Sequence, residues 1–169
     1  MNHYIPTNDT ILQFVAEAKR ATFEDFRAVS FNFSHPEKPF SVDLEHYSDG
    51  LHYKWNRTGL SQGREIEEVR LEDKEGKLLW TMAGHGGFVK DSQPFTLGKA
   101  VYLLTNSLCL PDIKNPFRGP RVMTSNDLTY LNNSSGDIRK FKGQEEILSY
   151  KQGNHFQVYS FDYSGGIVE

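Results

Sequence analysis

Two similar stretches of the sequence decide the fold, and they read WTMAGHGGFV at residues 80–89 and YSFDYSGGIV at residues 159–168. Both contain a glycine pair followed by two apolar residues, and they are 79 residues apart. Farther from these stretches, other residues also recur in the same order. Gly63 and Glu65 correspond to Gly143 and Glu145, Asp43-Leu44 corresponds to Asp127-Leu128, and Thr10 corresponds to Thr96. A recurring order of elements indicates an internal duplication. We therefore expect two repeats, at about residues 10–89 and 96–168.

The pattern around these stretches predicts an α+β fold. Apolar residues recur at helical spacing over residues 10–23, which begin with the capping box Thr10–Gln13, and over residues 96–109. Segments that alternate in polarity between short turns are typical of antiparallel strands, and they lie at residues 29–33, 43–47, 51–55, 65–72, 77–82, 144–151 and 155–163. No βαβ crossover pattern is present. We expect two α-plus-antiparallel-meander repeats that form one compact domain over residues 1–169.

Composition excludes several classes of protein. The chain has 169 residues, 13% of them aromatic, and a net charge of −3, which argues against nucleic acid as a partner. A single cysteine, Cys109, allows no internal disulfide. Residues 1–9 carry no signal-peptide pattern, and no apolar run approaches the roughly 20 residues of a membrane span. We expect a cytoplasmic protein that does not enter a membrane.

Many weak motifs in a fixed order resemble one family. They are Phe14–Phe23, Asp43-Leu44 with Asp49-Gly50, Trp80 with Gly86, Pro116–Pro120 and Gly143–Ile147. In this order they resemble a family of uncharacterised bacterial domains of unknown function, of the 5680 type, over residues 14–168. Members of that family occur alone or behind a Cro/C1-type helix-turn-helix domain. The family has no established activity, so the resemblance implies no catalytic residue.

His85 lies in the glycine-rich run Gly84–Gly87. Dense glycine lets a backbone approach a ligand closely, or lets a chain bend out of a strand. The next predicted helix begins about ten residues later and no Lys-Ser/Thr pair follows, so the run is not a P-loop. A bend that carries an exposed histidine is the favoured interpretation. The acidic strand residues that could work with His85 in catalysis are Glu65, Glu67, Glu68, Glu145 and Glu146.

The sequence indicates neither a metal nor a cofactor. His46 and His52 flank the turn at Asp49-Gly50. A two-residue loop pairs His46 with Tyr53 and His52 with Tyr47, which turns the two imidazoles to opposite faces of the sheet, whereas a three-residue loop places them opposite each other. Even then only two ligands are visible, one fewer than a catalytic zinc site needs.

Two groups of side chains remain as candidate ligand contacts. Arg118 and Arg121 lie in a proline-bracketed segment, Pro116–Arg121, and either arginine could bind an anionic ligand or a carboxylate of the protein itself. Large aromatics could line a pocket between the repeats or form the core, and these are Trp55, Trp80, Tyr159 and Tyr163.

Three functions are therefore compared. The leading hypothesis is a non-catalytic domain that binds a small molecule or a protein partner, because no convincing nucleophile–base pair or metal set is present. The first alternative is an enzyme of hydrolase or lyase type that uses His85 with strand carboxylates. The second is a structural module that associates through a sheet edge, in which case a second copy of the chain is the partner.

Overall fold

The computed structural model describes residues 6–28, 41–59, 62–89, 94–112 and 116–169. In chain order the elements are α1 (Asn8–Ala28), β1 (Ser41–Ser48), β2 (Leu51–Thr58), β3 (Gly63–Leu71), β4 (Leu78–Phe88), α2 (Pro94–Leu108), β5 (Val122–Ser125), β6 (Leu128–Asp137), β7 (Lys140–Lys151) and β8 (Asn154–Ile167). This order confirms the predicted α+β class.

All eight strands form one antiparallel sheet in the order β1-β2-β3-β4-β8-β7-β6-β5. The first meander, β1–β4, therefore runs inward from one edge of the sheet, and the second meander, β5–β8, runs inward from the other edge. Their final strands, β4 and β8, pair at the centre. In that pairing Gly84 of β4 lies opposite Tyr163 of β8. The central pair is what joins the two halves of the sheet.

The helices lie on one face of this sheet and contact each other. α1 contacts β1 and β2, whereas α2 contacts β5, β6 and β8, so each helix covers the meander that follows it. α1 begins two residues before the predicted position because Thr7, rather than Thr10, is its cap: the Thr10 amide donates to the Thr7 hydroxyl at 3.2 Å. Neither helix of the described residues is long and apolar enough to cross a membrane.

The predicted strands agree with the structure in the first meander and in the last hairpin. β5 and β6 were not predicted, because the polar run from Asn132 to Gly136 in β6 does not alternate as an amphipathic strand does. The strand predicted at residues 29–33 lies outside the described residues. The hairpin between β1 and β2 has a two-residue loop, and it pairs His46 with Tyr53 and His52 with Tyr47, as the first of the two loop lengths predicts.

The interpretation of Gly84–Gly87 as a bend is wrong, because all four residues lie inside β4. Gly84 is required there because the ring of Phe161, on the neighbouring strand, lies against its Cα, so an added Cβ would overlap the ring. Arg118 stacks on the same ring, with its guanidinium carbon 4.7 Å from the ring centroid. The missing side chain at Gly84 therefore makes room for an arginine–aromatic stack.

We also expected one glycine with a positive φ in each glycine pair, at the end of the last strand of each repeat. Gly87 and Gly166 are indeed the penultimate residues of β4 and β8. Gly86 has a φ of 139°, but neither Gly165 nor Gly166 has a positive φ, so this expectation is wrong for the second pair. Gly165 is needed for space instead, since an added Cβ would overlap the backbone of Thr81.

We predict that Gly84→Ala lowers the free energy of unfolding by about 1–3 kcal/mol, because the new methyl group must displace the Phe161 ring. Gly98→Ala is the matched control: Gly98 lies in α2 with open space around its Cα, so the same change raises that free energy by about 0.5–1 kcal/mol. Urea denaturation of both variants measures the difference. Equal effects of the two substitutions would contradict the steric argument.

Candidate functional site

Three cations and three carboxylates are buried together on the helix-covered face of the sheet. The cations are Lys19, Arg57 and Arg118, the carboxylates are Glu65, Glu67 and Glu145, and each residue is at most 4% exposed. Alternation along β3 turns Glu65 and Glu67 inward, and Glu145 of β7 faces the same way. We call these six residues the ionic cluster.

Glu67 fixes α1 to the sheet. The Lys19 ammonium donates to Glu67 Oε1 at 2.7 Å and to the carbonyl oxygen of Phe117 at 2.6 Å. The Tyr53 hydroxyl donates to Glu67 Oε2 at 2.9 Å. Lys19 thus joins the first helix to β3 and to the segment that follows the second helix.

Arg118 connects the two meanders. Its Nη1 donates to Glu65 Oε2, and its Nη2 lies 2.8 Å from Glu145 Oε2. Arg57 donates to the other oxygen of Glu65, and Tyr130 donates to the other oxygen of Glu145. Each carboxylate therefore has a partner on both oxygens, which is what a buried charge requires.

The electrostatics of the cluster keep its charges in place. Burial alone would raise the pKa of Glu65, but the Arg118 and Arg57 guanidinium groups outweigh it and lower that pKa to about 2. Burial would lower the pKa of Arg118, whereas the carboxylates of Glu145 and Glu65 raise it well above its ordinary value. Burial lowers the pKa of Lys19, a change that Glu67 opposes. Burial and Glu67 together raise the pKa of Tyr53, so its hydroxyl stays a donor.

The two arginines of the segment Pro116–Arg121 are in different places. Arg118 is fully buried with carboxylates as its partners, and Arg121 is exposed. Phe117 stacks on Phe141, with ring centroids 3.6 Å apart, and the Gly119 amide donates to the Tyr130 hydroxyl at 3.1 Å. The segment is a buried connection between α2 and β5, and Arg118 is part of that structure.

The candidate aromatics are part of the core. Trp80 and Tyr159 are completely buried, while Trp55 and Tyr163 are 2% and 4% exposed. Trp55 packs edge-on against Phe23 of α1, with centroids 5.1 Å apart. Only Tyr163 also lines a surface cavity, described below.

The opposite face of the sheet carries a row of exposed polar side chains. In register across five neighbouring strands lie Asn133 (β6), Gln144 (β7), Asp162 (β8), His85 (β4) and Arg64 (β3). None of the five has a side-chain hydrogen bond or ion pair with another residue in the described part of the chain. At a strand spacing of about 4.8 Å, this polar row is about 19 Å long.

Two cavities lie along the polar row and share Asp162. One has a volume of about 450 Å³ and is lined by Asn133, Ser135, Lys142, Gln144 and Tyr163, among others. The other has a volume of about 390 Å³ and is lined by Gln62, His85, Ser160 and residues 86–89. Both volumes lie in the range of small-molecule sites. Asp162 is thus the residue that belongs to both cavities.

His85 is exposed, as expected, but the structure does not bring it together with most of the acidic residues considered with it. Glu65, Glu67 and Glu145 point to the other face of the sheet. The carboxylate directly opposite His85 is Asp162. Sequence reasoning missed Asp162, Gln144 and Asn133, and no local signal marks them, because three different strands supply them and only the sheet order brings them into register. Within the described residues, no three side chains of the kinds that ligate metals are grouped to hold an ion.

We predict that Arg118→Met lowers the free energy of unfolding by about 3–5 kcal/mol, because it leaves buried carboxylates without their shared cation. Arg121→Met, three residues along the same segment, is the control and should change that free energy by less than about 0.5 kcal/mol, because Arg121 is exposed. Guanidinium chloride denaturation measures both. A cost below about 1 kcal/mol for Arg118→Met would show that the carboxylates do not depend on it.

Stability should also fall in acid through Glu65. Its pKa is about 2 in the folded state and about 4.5 when unperturbed, so it stabilises the fold above pH 4.5, and that contribution is lost as the pH falls toward 2. We expect Glu65→Gln to flatten this part of the curve of unfolding free energy against pH. Glu68→Gln is the control, because Glu68 is a partly exposed partner of Arg70. Curves of equal slope for Glu65→Gln and the unmodified protein would contradict the assignment.

Comparison with known proteins gives one positive result. No curated protein matches the sequence, and no solved structure matches the fold. The family described as Domain of unknown function (DUF5680) matches residues 67–168, from the inward-facing Glu67 to the end of β8. That match covers more than half of the chain and includes the central strand pair, the whole lining of the 450 Å³ cavity and all of the other cavity's lining except Gln62. On this basis the protein belongs to the DUF5680 family.

Proposed function

We propose that this domain binds a small molecule on the open face of its sheet and does not itself catalyse a reaction. The observation that carries the proposal is the polar row: five exposed polar side chains aligned across five strands, with no partners among the described residues, beside two cavities. A cytoplasmic location, as the sequence suggests, is part of the proposal.

The separation of the two faces supports this choice. Arg118, Trp55 and Trp80, which the sequence offered as ligand contacts, are buried in the interior. His85 remains accessible, and Tyr163 contributes to a cavity wall. A ligand therefore finds its polar partners on the face that the helices leave uncovered. A side chain without a partner in the protein can bind a ligand without first breaking a hydrogen bond within the protein.

We also propose that the two halves of the domain are duplicated copies related by a pseudo-twofold axis. In each half, a tyrosine on the second strand donates to a glutamate on the third strand: Tyr53 to Glu67, and Tyr130 to Glu145. In both halves the tyrosine lies opposite the residue two positions beyond its glutamate, Val69 or Ile147. The axis would pass through the pair of Gly84 and Tyr163, which places the polar row across the junction of the two copies.

A second candidate is an enzyme of hydrolase or lyase type. The observation that favours it is the direct pairing of His85 with Asp162, flanked on β8 by Ser160 and Ser164. A carboxylate beside an imidazole is suited to general acid–base catalysis. If the bound compound is converted, His85→Ala should abolish turnover while retaining measurable binding.

We expect some members of a library of polar metabolites to raise the melting temperature of the protein. His85→Ala and Gln144→Ala, one in each cavity, should reduce that shift for the same compounds. Thr58→Ala is the matched control, because Thr58 lies exposed on the same face, opposite Arg64 but outside both cavities. A library without a single active compound, or a shift that Thr58→Ala reduces as much as His85→Ala does, would overturn the proposal.

A further inference from the structure

The chemistry of the two cavities narrows the class of ligand, on the premise that the proposed site on the open face is real. Most of the polar groups that line the cavities are carboxamides and hydroxyls. They are Asn133, Ser134, Ser135 and Gln144 in one cavity, and Gln62 and Ser160 in the other. Each such group both donates and accepts hydrogen bonds. A ligand that uses them fully must itself donate and accept.

The charges at the cavities disfavour ions. The 450 Å³ cavity has one cation, Lys142, and one carboxylate, Asp162, in its lining. For a phosphate or carboxylate ligand, the repulsion of Asp162 offsets the attraction of Lys142, and for an amine the repulsion of Lys142 offsets the attraction of Asp162. Because Asp162 also belongs to the second cavity, its carboxylate faces a ligand in either one. The balance of charge therefore favours a neutral compound.

Asp162 offers a particular contact to such a compound. An ionised carboxylate only accepts hydrogen bonds, and its two oxygens can accept from two neighbouring hydroxyl groups at once. His85 and Gln144, on either side of Asp162 in the polar row, supply further donors and acceptors.

From these observations we propose that the ligand is a neutral polyhydroxylated compound of the carbohydrate class, held by adjacent hydroxyls on Asp162. A ligand with two linked rings can reach from one cavity to the other across Asp162, since the cavities share that residue. Linking two contacts in one molecule raises affinity, so disaccharides should bind more tightly than monosaccharides.

The test is a titration of the full chain, followed by ¹H–¹⁵N NMR, with glucose, galactose, N-acetylglucosamine, maltose and cellobiose. Sodium phosphate and putrescine are the anionic and cationic comparisons. We expect at least one sugar to shift the side-chain amide signals of Asn133 and Gln144, while the indole signals of the buried Trp55 and Trp80 stay in place. Asp162→Asn should weaken binding of that sugar by about tenfold or more, because it removes the charged acceptor, and Thr58→Ala should leave it unchanged.

The outcomes separate this inference from the proposed function. One contrary outcome is that phosphate shifts these signals while the sugars leave them in place, and that Asp162→Asn strengthens the phosphate response. In that case the site binds anions and the carbohydrate assignment is wrong. Binding of putrescine alone, lost in Asp162→Asn, overturns it in the same way. If none of these compounds shifts the signals but a compound of the metabolite library acts through His85 and Gln144, the proposed function stands and the carbohydrate class is wrong. If the library is silent as well, both fail.

Discussion

The guanidinium group of Arg118 is the interaction on which the structure depends. It is completely buried, and its two terminal nitrogens are bound to carboxylates from different meanders, Glu65 and Glu145. A buried carboxylate needs a counter-charge, and for Glu145 that charge comes from Arg118 among the described residues. Glu145 therefore depends on the segment that connects α2 to β5, whereas Glu65 is bound by Arg57 of its own meander as well as by Arg118. The ionic cluster makes the two halves a single unit.

The same strands serve the interior and the surface. In β3, Glu65 and Glu67 belong to the ionic cluster, whereas the neighbouring Arg64 points to the open face and is exposed. In β8, the Arg118 guanidinium stacks on the ring of Phe161, and the next residue, Asp162, lines both cavities. This alternation fixes the polar row to the same backbone as the cluster. The contacts of the cluster therefore also fix the backbone positions from which the polar row projects on the open face.

Local signals in the sequence were enough to predict the helices, the first meander and the last hairpin. The Asp49-Gly50 turn, for example, marks its hairpin and leaves two registers open, and the structure has the register of the two-residue loop. β6 was missed because Asn132–Gly136 is polar on both faces, and the buried Asn132 side chain donates to the Gly119 carbonyl and accepts from the Tyr163 hydroxyl, 31 positions away. These contacts depend on distant parts of the chain.

The sequence left open that Arg118 binds a carboxylate of the protein, but it identified neither that carboxylate nor the rest of the ionic cluster nor the polar row. In the sequence, Arg64-Glu65-Ile66-Glu67-Glu68 is typical of an exposed strand edge. Glu65 and Glu67 are interior residues because folding brings cations to them. Lys19 is 48 positions from Glu67 along the chain, and Arg118 is 53 positions from Glu65. The polar row likewise combines residues from five strands in an order that only the sheet topology defines. Charges can be placed from sequence when their partners are neighbours along the chain, and not when the partners meet by folding.

The strand order has a consequence for how the chain is made. β4 pairs on one side with β3 and on the other with β8, so one of its hydrogen-bonding edges stays open while about 70 further residues are synthesised. An open edge invites pairing with other nascent chains. The run Ala83–Gly87, with three glycines, has a low tendency to form strands and lacks the large apolar side chains that drive such aggregation. The glycines that make space for Phe161 in the folded sheet thus also protect β4 from aggregation until β8 has been synthesised.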